Sequence, residues 1–389
     1  MKKHIAFLLW AFLPFLASAQ QAIFNRITIQ SPEVNADNSV TIRYNGAKAK
    51  SVQVTGDFLE NGAVANLAEN KDGIWEYTSA PLAPELYSYS LIVDGLKIND
   101  PNNIAYSRDV ASITNTFIIS KEKGDKGDLY RVNRVPHGSI RRMWYHSATL
   151  GMDRKLTVYT PAGYESSNKK YPVFYLLHGA GGDEEAWMTL GRTSQVLDNL
   201  IAQGKAEPMI VVMTNGNAWA EAAPGESPEG FTVPSMRATK QAMEGGFELH
   251  FPEVISFIEK NFRTYTDKKH RAIAGLSMGS MHSLNISKYY ADKFHYVGLF
   301  SGARIGDREN TTCPVYVNFD AQMAKLFANK PALYFLACGK TDNAKKGMDS
   351  LKAYLDEHGY PCEYMETDGG HIWRNWRVYL SVFAPRLFK

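Results

Sequence analysis

The chain has 389 residues, with 43 Lys and Arg against 40 Asp and Glu, and is 44% hydrophobic and 12% aromatic. That length supports two domains and a large core. A net charge of +3 gives no electrostatic case for nucleic acid or an anionic membrane surface as a partner.

Met1-Lys2-Lys3 is a basic start, Ile5 to Ala17 is an apolar run of thirteen residues, and Ala17-Ser18-Ala19 is a small-x-small cleavage pattern. The run falls short of the roughly 20 residues of a membrane span, so residues 1–19 read as a signal peptide, with an uncleaved anchor as the alternative. The expectation is an exported protein, periplasmic or extracellular, with no membrane attachment after cleavage. The three cysteines, Cys313, Cys338 and Cys362, are too sparse for a disulfide framework. Cys338 and Cys362 fall in predicted strands and read as small buried side chains, with a single bridge as the alternative. No cysteine pair has metal-ligand spacing, and neither metal nor cofactor is expected.

Residues 20–120 read as all-β. Ser39 to Tyr44 and Ser51 to Val54 alternate with strand period; Asp72-Gly73 precedes Ile74 to Tyr77, and Leu86 to Val93 leads through Asp94-Gly95 into Leu96 to Ile98, a hairpin signal. Strands at this spacing predict a small β-sandwich. The run of Ser31 to Val34, Thr55-Gly56-Asp57-Phe58, Asp72 to Trp75, Tyr87-Ser88-Tyr89, Val93-Asp94-Gly95 and Asp100-Pro101 resembles the immunoglobulin-like N-terminal modules of glycogen-branching and debranching enzymes. That resemblance implies a carbohydrate-binding-type module. Trp75, Tyr87 and Tyr89 either fill its core, the preferred reading, or stack on sugar rings. Residues 121–133, charged and glycine-containing, read as a linker.

From 134 to 389 near-continuous apolar strands alternate with helical patterns. Leu156 to Tyr159, Val173 to Leu177, Met209 to Met213, Ile273, Val297 to Phe300, Leu333 to Ala337 and Glu363 to Met365 read as strands. Helices are expected at about 250–262, with Pro252 near the first turn, and at about 344–358, stopped by Gly359. This is an α/β class pattern, a doubly wound, mostly parallel sheet covered on both faces.

The run Arg271 to Gly279 reads as an apolar strand leading straight into Gly275-Leu276-Ser277-Met278-Gly279, a G-x-S-x-G pattern. After a strand and before a helix, it places a serine hydroxyl on a strained turn above the sheet, as in α/β-hydrolases. The acid and the base should follow in that order. Asp342, in the loop leaving the Leu333 strand, is the candidate acid, with helix capping as its alternative role and Asp368 as competitor. His371, after Gly369-Gly370, is the candidate base. Met278 is a candidate oxyanion donor by its backbone N–H; the second comes from His178-Gly179-Ala180-Gly181-Gly182-Asp183, with Ala180 first and Gly181 second. His178 reads as structural.

Arg154 to Tyr164, Tyr175 to Gly179, Trp187, Asp198 to Ile201, Ala274 to Gly279, Cys338 to Asp342 and Gly370 to Trp373 together resemble carbohydrate esterase family 1, which includes feruloyl and acetylxylan esterases and the esterase D group. The resemblance implies the α/β-hydrolase fold, a serine esterase acting through an acyl-enzyme, and Ser277, Asp342 and His371 as its triad. One departure is Ser280, where a second glycine is common; its small size predicts tolerance. Residues 215–246 look like an insertion over the site, with Trp219, Phe231, Met236 and Met243 forming an apolar lid or a separate surface cluster. Trp187, Trp219 and Trp373 are candidate substrate-lining residues, whereas Trp376 is expected to pack the last helix. The expected partner is a plant polysaccharide or oligosaccharide ester, a feruloyl ester on arabinoxylan first. An acetyl or other carbohydrate esterase, a siderophore or thioester hydrolase and a non-catalytic glycan-binding protein are the alternatives.

Overall fold

The computed structural model describes residues 29–110, 112–231 and 244–389; the expected signal peptide lies outside them. The first half of the fold is all-β, with strands β1 (Glu33–Val34), β2 (Val40–Asn45), β3 (Val52–Gly56), β4 (Val64–Asn66), β5 (Ala68–Glu69), β6 (Ile74–Thr78), β7 (Glu85–Val93), β8 (Leu96–Ile98), β9 (Tyr106–Asp109) and β10 (Ser112–Ile119). They form two antiparallel sheets, β1-β2-β6-β5 and β4-β3-β7-β10-β9, with β8 paired to β7. Asp94 and Gly95 turn the β7–β8 hairpin with φ of 49° and 86°, the positive values that a tight two-residue hairpin requires. Val40, Ile42, Val52, Val54, Tyr87, Tyr89, Leu91 and Phe117 fill the space between the sheets, each aliphatic side chain contributing about 1.5–3 kcal/mol by burial. Tyr87 and Tyr89 are therefore core, and half-buried Trp75 donates its indole N–H to the Gly46 carbonyl at 3.0 Å.

The second half is an eight-stranded sheet of β11 (Ser139–Ser147), β12 (Met152–Thr160), β13 (Val173–Leu177), β14 (Ile210–Thr214), β15 (Arg271–Leu276), β16 (Tyr296–Phe300), β17 (Leu333–Gly339) and β18 (Glu363–Thr367), in the order β11-β12-β14-β13-β15-β16-β17-β18. The pairings of β12 with β11 and β14 are antiparallel and the rest are parallel. Its described helices are α1 (Lys126–Tyr130), α2 (Ala186–Thr189), α3 (Thr193–Ala202), α4 (Gly246–Asn261), α5 (Met278–Tyr289), α6 (Phe319–Ala328), α7 (Lys345–Glu357) and α8 (Trp373–Phe383). The central strands are buried along their whole length because alternate residues face two cores. Tyr175, Val212, Ile273 and Leu336 enter one; Phe174, Val211, Ala274 and Phe335 enter the other.

Three local expectations are revised. Helix α4 starts at Gly246, a turn before the sequence estimate, because Phe247 and Glu248 are already buried; Pro252 is thus inside the helix, where it cannot donate to the Glu248 carbonyl. The antiparallel edge strand β11 was not read from the sequence, since Ser139–Ser147 mixes arginines with apolar residues and alternates in exposure. The expected linker contains helix α1, whose Asp125 side chain accepts from the Asp128 N–H. It is packed so closely that a Cβ on Gly127 would lie 1.8 Å from the Ile119 carbonyl oxygen. Asn199 of α3 donates to the carbonyls of Asp128, Leu129 and Arg131. The three cysteines are free thiols.

The sandwich is seated against the eight-stranded layer. Leu86 and Tyr130 enter the same core as Phe174 and Tyr379. Arg377 of α8 pairs with Glu85 at 3.1 Å, both side chains 3% exposed, and also donates to the Leu86 and Leu190 carbonyls. Arg374, one turn earlier, donates to the Asp57 carbonyl at 2.8 Å and lies over the Tyr87 ring. Removing one member of a buried pair strands the other charge. Arg377→Ala is therefore expected to lower unfolding free energy by about 3–5 kcal/mol in a urea titration, and Glu85→Ala added to it should cost much less than its own single effect.

Candidate active site

The site begins at the end of β15, where Ser277 sits at φ 53° and ψ −114° before the first residue of α5. Packing imposes this conformation. A Cβ on Gly275 would lie 2.4 Å from the Gly279 carbonyl carbon, and one on Gly279 would lie 2.5 Å from the carbonyl oxygens of Leu177 and His178. A Cβ on Gly302 would meet the Ser277 carbonyl oxygen at 2.4 Å. The Ser277 N–H donates to the Phe300 carbonyl at 2.8 Å. The serine is partly exposed, with the N-terminus of α5 directly behind it. Ser280 is buried and donates its hydroxyl to the Gly302 carbonyl at 2.5 Å, which accounts for a serine in place of glycine there.

Asp342 leaves β17 and His371 leaves β18; the loops stay paired past the strands through Lys340 N–H to Thr367 O and Thr341 N–H to Gly369 O. Gly369, at φ 84°, makes the turn. His371 Nδ1 lies 2.8 Å from Asp342 Oδ1. Asp342 is otherwise an acceptor, which assigns the proton to Nδ1 and leaves Nε2 as the ring nitrogen able to accept one. The same oxygen accepts from the Ala344 N–H at 2.8 Å, in the turn leading to α7, so the capping role and the orienting role coincide. Burial works against the Asp342 charge, but the hydrogen bonds from His371 and Ala344 outweigh it and hold its carboxyl below the usual range. Asp368, 93% exposed and paired with Lys340, points to solvent, whereas Asp342 is the carboxylate that meets His371. Trp376 does more than pack the last helix. Its ring meets His371 edge-on at 4.9 Å, and its N–H donates to the Ser301 hydroxyl, next to the Gly302 that packs on Ser277.

The glycine-rich loop after β13 reaches the serine, since a Cβ on Gly179 would lie 3.2 Å from Ser277 Cβ. Ala180 is its exposed residue, whereas Gly181, at φ 81°, is covered by Val110 of the sandwich. His178 is 1% exposed. It has Nδ1 2.7 Å from the Gly179 carbonyl and accepts at Nε2 from the Gly216 N–H, also at 2.7 Å. Acceptance at Nε2 demands the neutral ring, and burial pushes its pKa down to about 4 against the opposing pull of the Gly179 carbonyl. Asn217 donates to the Gly182 carbonyl, Asn215 to the Glu184 carboxylate, and the Ala223 N–H to the same carboxylate. Residues 215–223 are thus a polar clamp on the loop, not an apolar lid. Phe231 is 87% exposed, and Met236 and Met243 lie outside the described residues.

Among the tryptophans, Trp187 does not line the cleft. It is 1% exposed, donates to the Leu177 carbonyl at 2.9 Å and meets Trp373 edge-on, because α2 folds it under the loop. Trp373 and Trp219 are both half-buried. The groups that sequence reading missed are Trp376, the Gly216–Asn217 clamp and the sandwich residues Arg108 to Val110. All depend on elements that meet only in the folded chain.

Residues 147–387 match the family model described as "Putative esterase". The chain is 31% identical over 369 residues to an endo-1,4-beta-xylanase/feruloyl esterase of Xylanibacter ruminicola, a match covering 92% of this chain and 46% of that protein, so it spans about half the length of that relative. Among solved structures it is similar to a ferulic acid esterase (26% identity, TM-score 0.51, 64% of this chain and 97% of the other). An enterobactin esterase of Shigella flexneri, at 16% identity and TM-score 0.61, matches the fold over 90% of this chain and 93% of its own.

Two outcomes follow from the geometry. Ser277→Ala should leave the circular dichroism spectrum and melting temperature intact while lowering ester turnover by about 10,000-fold or more. The His178 clamp contributes stability that is complete above the ordinary histidine pKa of 6.5 and is lost as pH falls toward about 4, since the unfolded chain then binds a proton that the folded one refuses. The melting temperature should fall across that window, and His178→Asn should flatten the slope.

Proposed function

We propose that this chain, which belongs to the Esterase family, is a carboxylic ester hydrolase, an exported serine esterase that releases ferulate from sugar esters of plant cell-wall polysaccharide. The observation that carries the chemistry is the bond from His371 Nδ1 to the buried Asp342, on loops that leave the same end of the sheet as the strained Ser277 elbow. His371 Nε2 takes the Ser277 hydroxyl proton as Oγ attacks the ester carbonyl. The N–H groups of Met278 and Ala180 receive the negative charge that develops on the carbonyl oxygen. The tetrahedral centre collapses, the C–O bond to the sugar breaks, and His371 returns its proton to the leaving alkoxide. Water then repeats the sequence on the acyl-enzyme, releasing the acid and regenerating Ser277. Asp342 stays ionised throughout and holds the imidazolium.

The acyl group is supported by the feruloyl esterase name of the 31% identical relative, aligned along 92% of the chain, and by the ferulic acid esterase fold match. The polysaccharide is supported by the xylanase half of that relative's name, and export by the N-terminal pattern. Incubation with native, acetylated and feruloylated arabinoxylan tests the reading. Ferulate should be released several-fold faster per available ester than acetate; acetate release without ferulate would replace the feruloyl assignment with an acetyl one.

A further inference from the structure

Strand β9 carries the sandwich onto the loop that faces the nucleophile. Arg108 pairs with Asp183, whose side chain is 1% exposed and accepts from the Glu185 N–H at 3.0 Å. Asp183 therefore fixes the start of α2 and, with it, the end of the glycine loop. Val110, at φ 55°, holds a conformation costly for a β-branched residue. Its side chain fills the space above Gly181, where an added Cβ would lie 2.7 Å from Val110 Cγ2. Beside this contact is a cavity of about 210 Å³ whose wall includes Arg108, Asp109, Val110, Glu185, Leu190 and Glu226. Asp109 lies against Trp373 and Arg108; burial raises its pKa, which those two partly offset.

The charged groups of that wall favour one half of the substrate over the other, although Val110, Ala186, Leu190, Ala223 and Pro224 make the rest of it apolar. An aryl acid is best held by aromatic walls, and among the described residues no aromatic side chain lines this cavity. A guanidinium among carboxylates instead suits vicinal hydroxyl groups, which donate to the carboxylates and accept from the guanidinium. The volume is below the roughly 300–1,000 Å³ of a drug-sized pocket, of the order of one sugar ring and not a stretch of polymer.

We propose that this cavity receives a sugar ring of the ester's alcohol portion, so that the sandwich is a wall of the catalytic cleft, acting through Arg108, Asp109 and Val110. The proposal rests on the reading of the chain as a sugar-ester hydrolase. Its test uses the full chain and two soluble esters with the same acyl group, methyl ferulate and a feruloylated arabino-xylo-oligosaccharide. The measured quantity is the ratio of their kcat/KM values. Asp109→Ala should lower that ratio about tenfold through KM, the loss of roughly one well-placed hydrogen bond, and Asp109→Asn, which retains hydrogen-bonding capacity, should keep most of it. A ratio within twofold of wild type in Asp109→Ala, with the protein folded, would overturn the proposal, as would a wild-type enzyme with no preference for the sugar ester. If wild type releases acetate and not ferulate, the feruloyl reading fails separately. Methyl acetate against an acetylated xylo-oligosaccharide then decides the cavity by the same ratio.

Discussion

The site depends on the close approach of Gly275 to the Gly279 carbonyl, which a Cβ on Gly275 would meet at 2.4 Å. That contact folds β15 back into α5 and forces Ser277 to φ 53°, a conformation held only where the surroundings over-determine it. The strain is distributed over rigid neighbours. The end of β13 presses on Gly279, Gly302 presses on the serine backbone, and Phe300 takes its N–H. A serine so held cannot swing away, and the remaining groups need only be brought to it.

Parallel strand geometry brings them. Chain segments leave β13, β15, β17 and β18 at the same edge of the sheet, so the glycine loop, Ser277, Asp342 and His371 gather there without long-range coincidence. This explains why so much of the site was legible in the sequence. Central strands buried on both faces are unbroken apolar runs, and each announces the loop after it. The meeting of Asp342 with His371 is foreshadowed by the strand count, whereas the exposure of Asp368 shows only in the folded chain.

What was not legible depends on docking between layers. Trp187 after a glycine loop has the composition of a cleft residue, but its direction is set by the single turn of α2, Ala186–Thr189, that no periodicity encodes. Trp376 has the spacing of a core residue, with Tyr379, Leu380 and Phe383, and its edge contact with His371 follows only from where α8 lies. The segment at 121–133 has linker composition, yet it is fixed by side-chain bonds from α3. Arg108 and Asp109 belong to β9 and Val110 follows it directly, all three remote in sequence from Ser277, Asp342 and His371. Because α8 carries both the arginines that grip the sandwich and the tryptophan that meets His371, the two halves form one mechanical unit around the cleft.

The central claim, that Ser277 is the nucleophile, is tested most directly by covalent trapping. A fluorophosphonate transfers its phosphonyl group to an activated hydroxyl with loss of fluoride. Mass spectrometry of the labelled, digested protein should find one phosphonyl group, on the peptide containing Ser277, and labelling should slow sharply in His371→Ala. Stoichiometric labelling at another residue, or turnover that persists after Ser277 is fully labelled, would contradict the account.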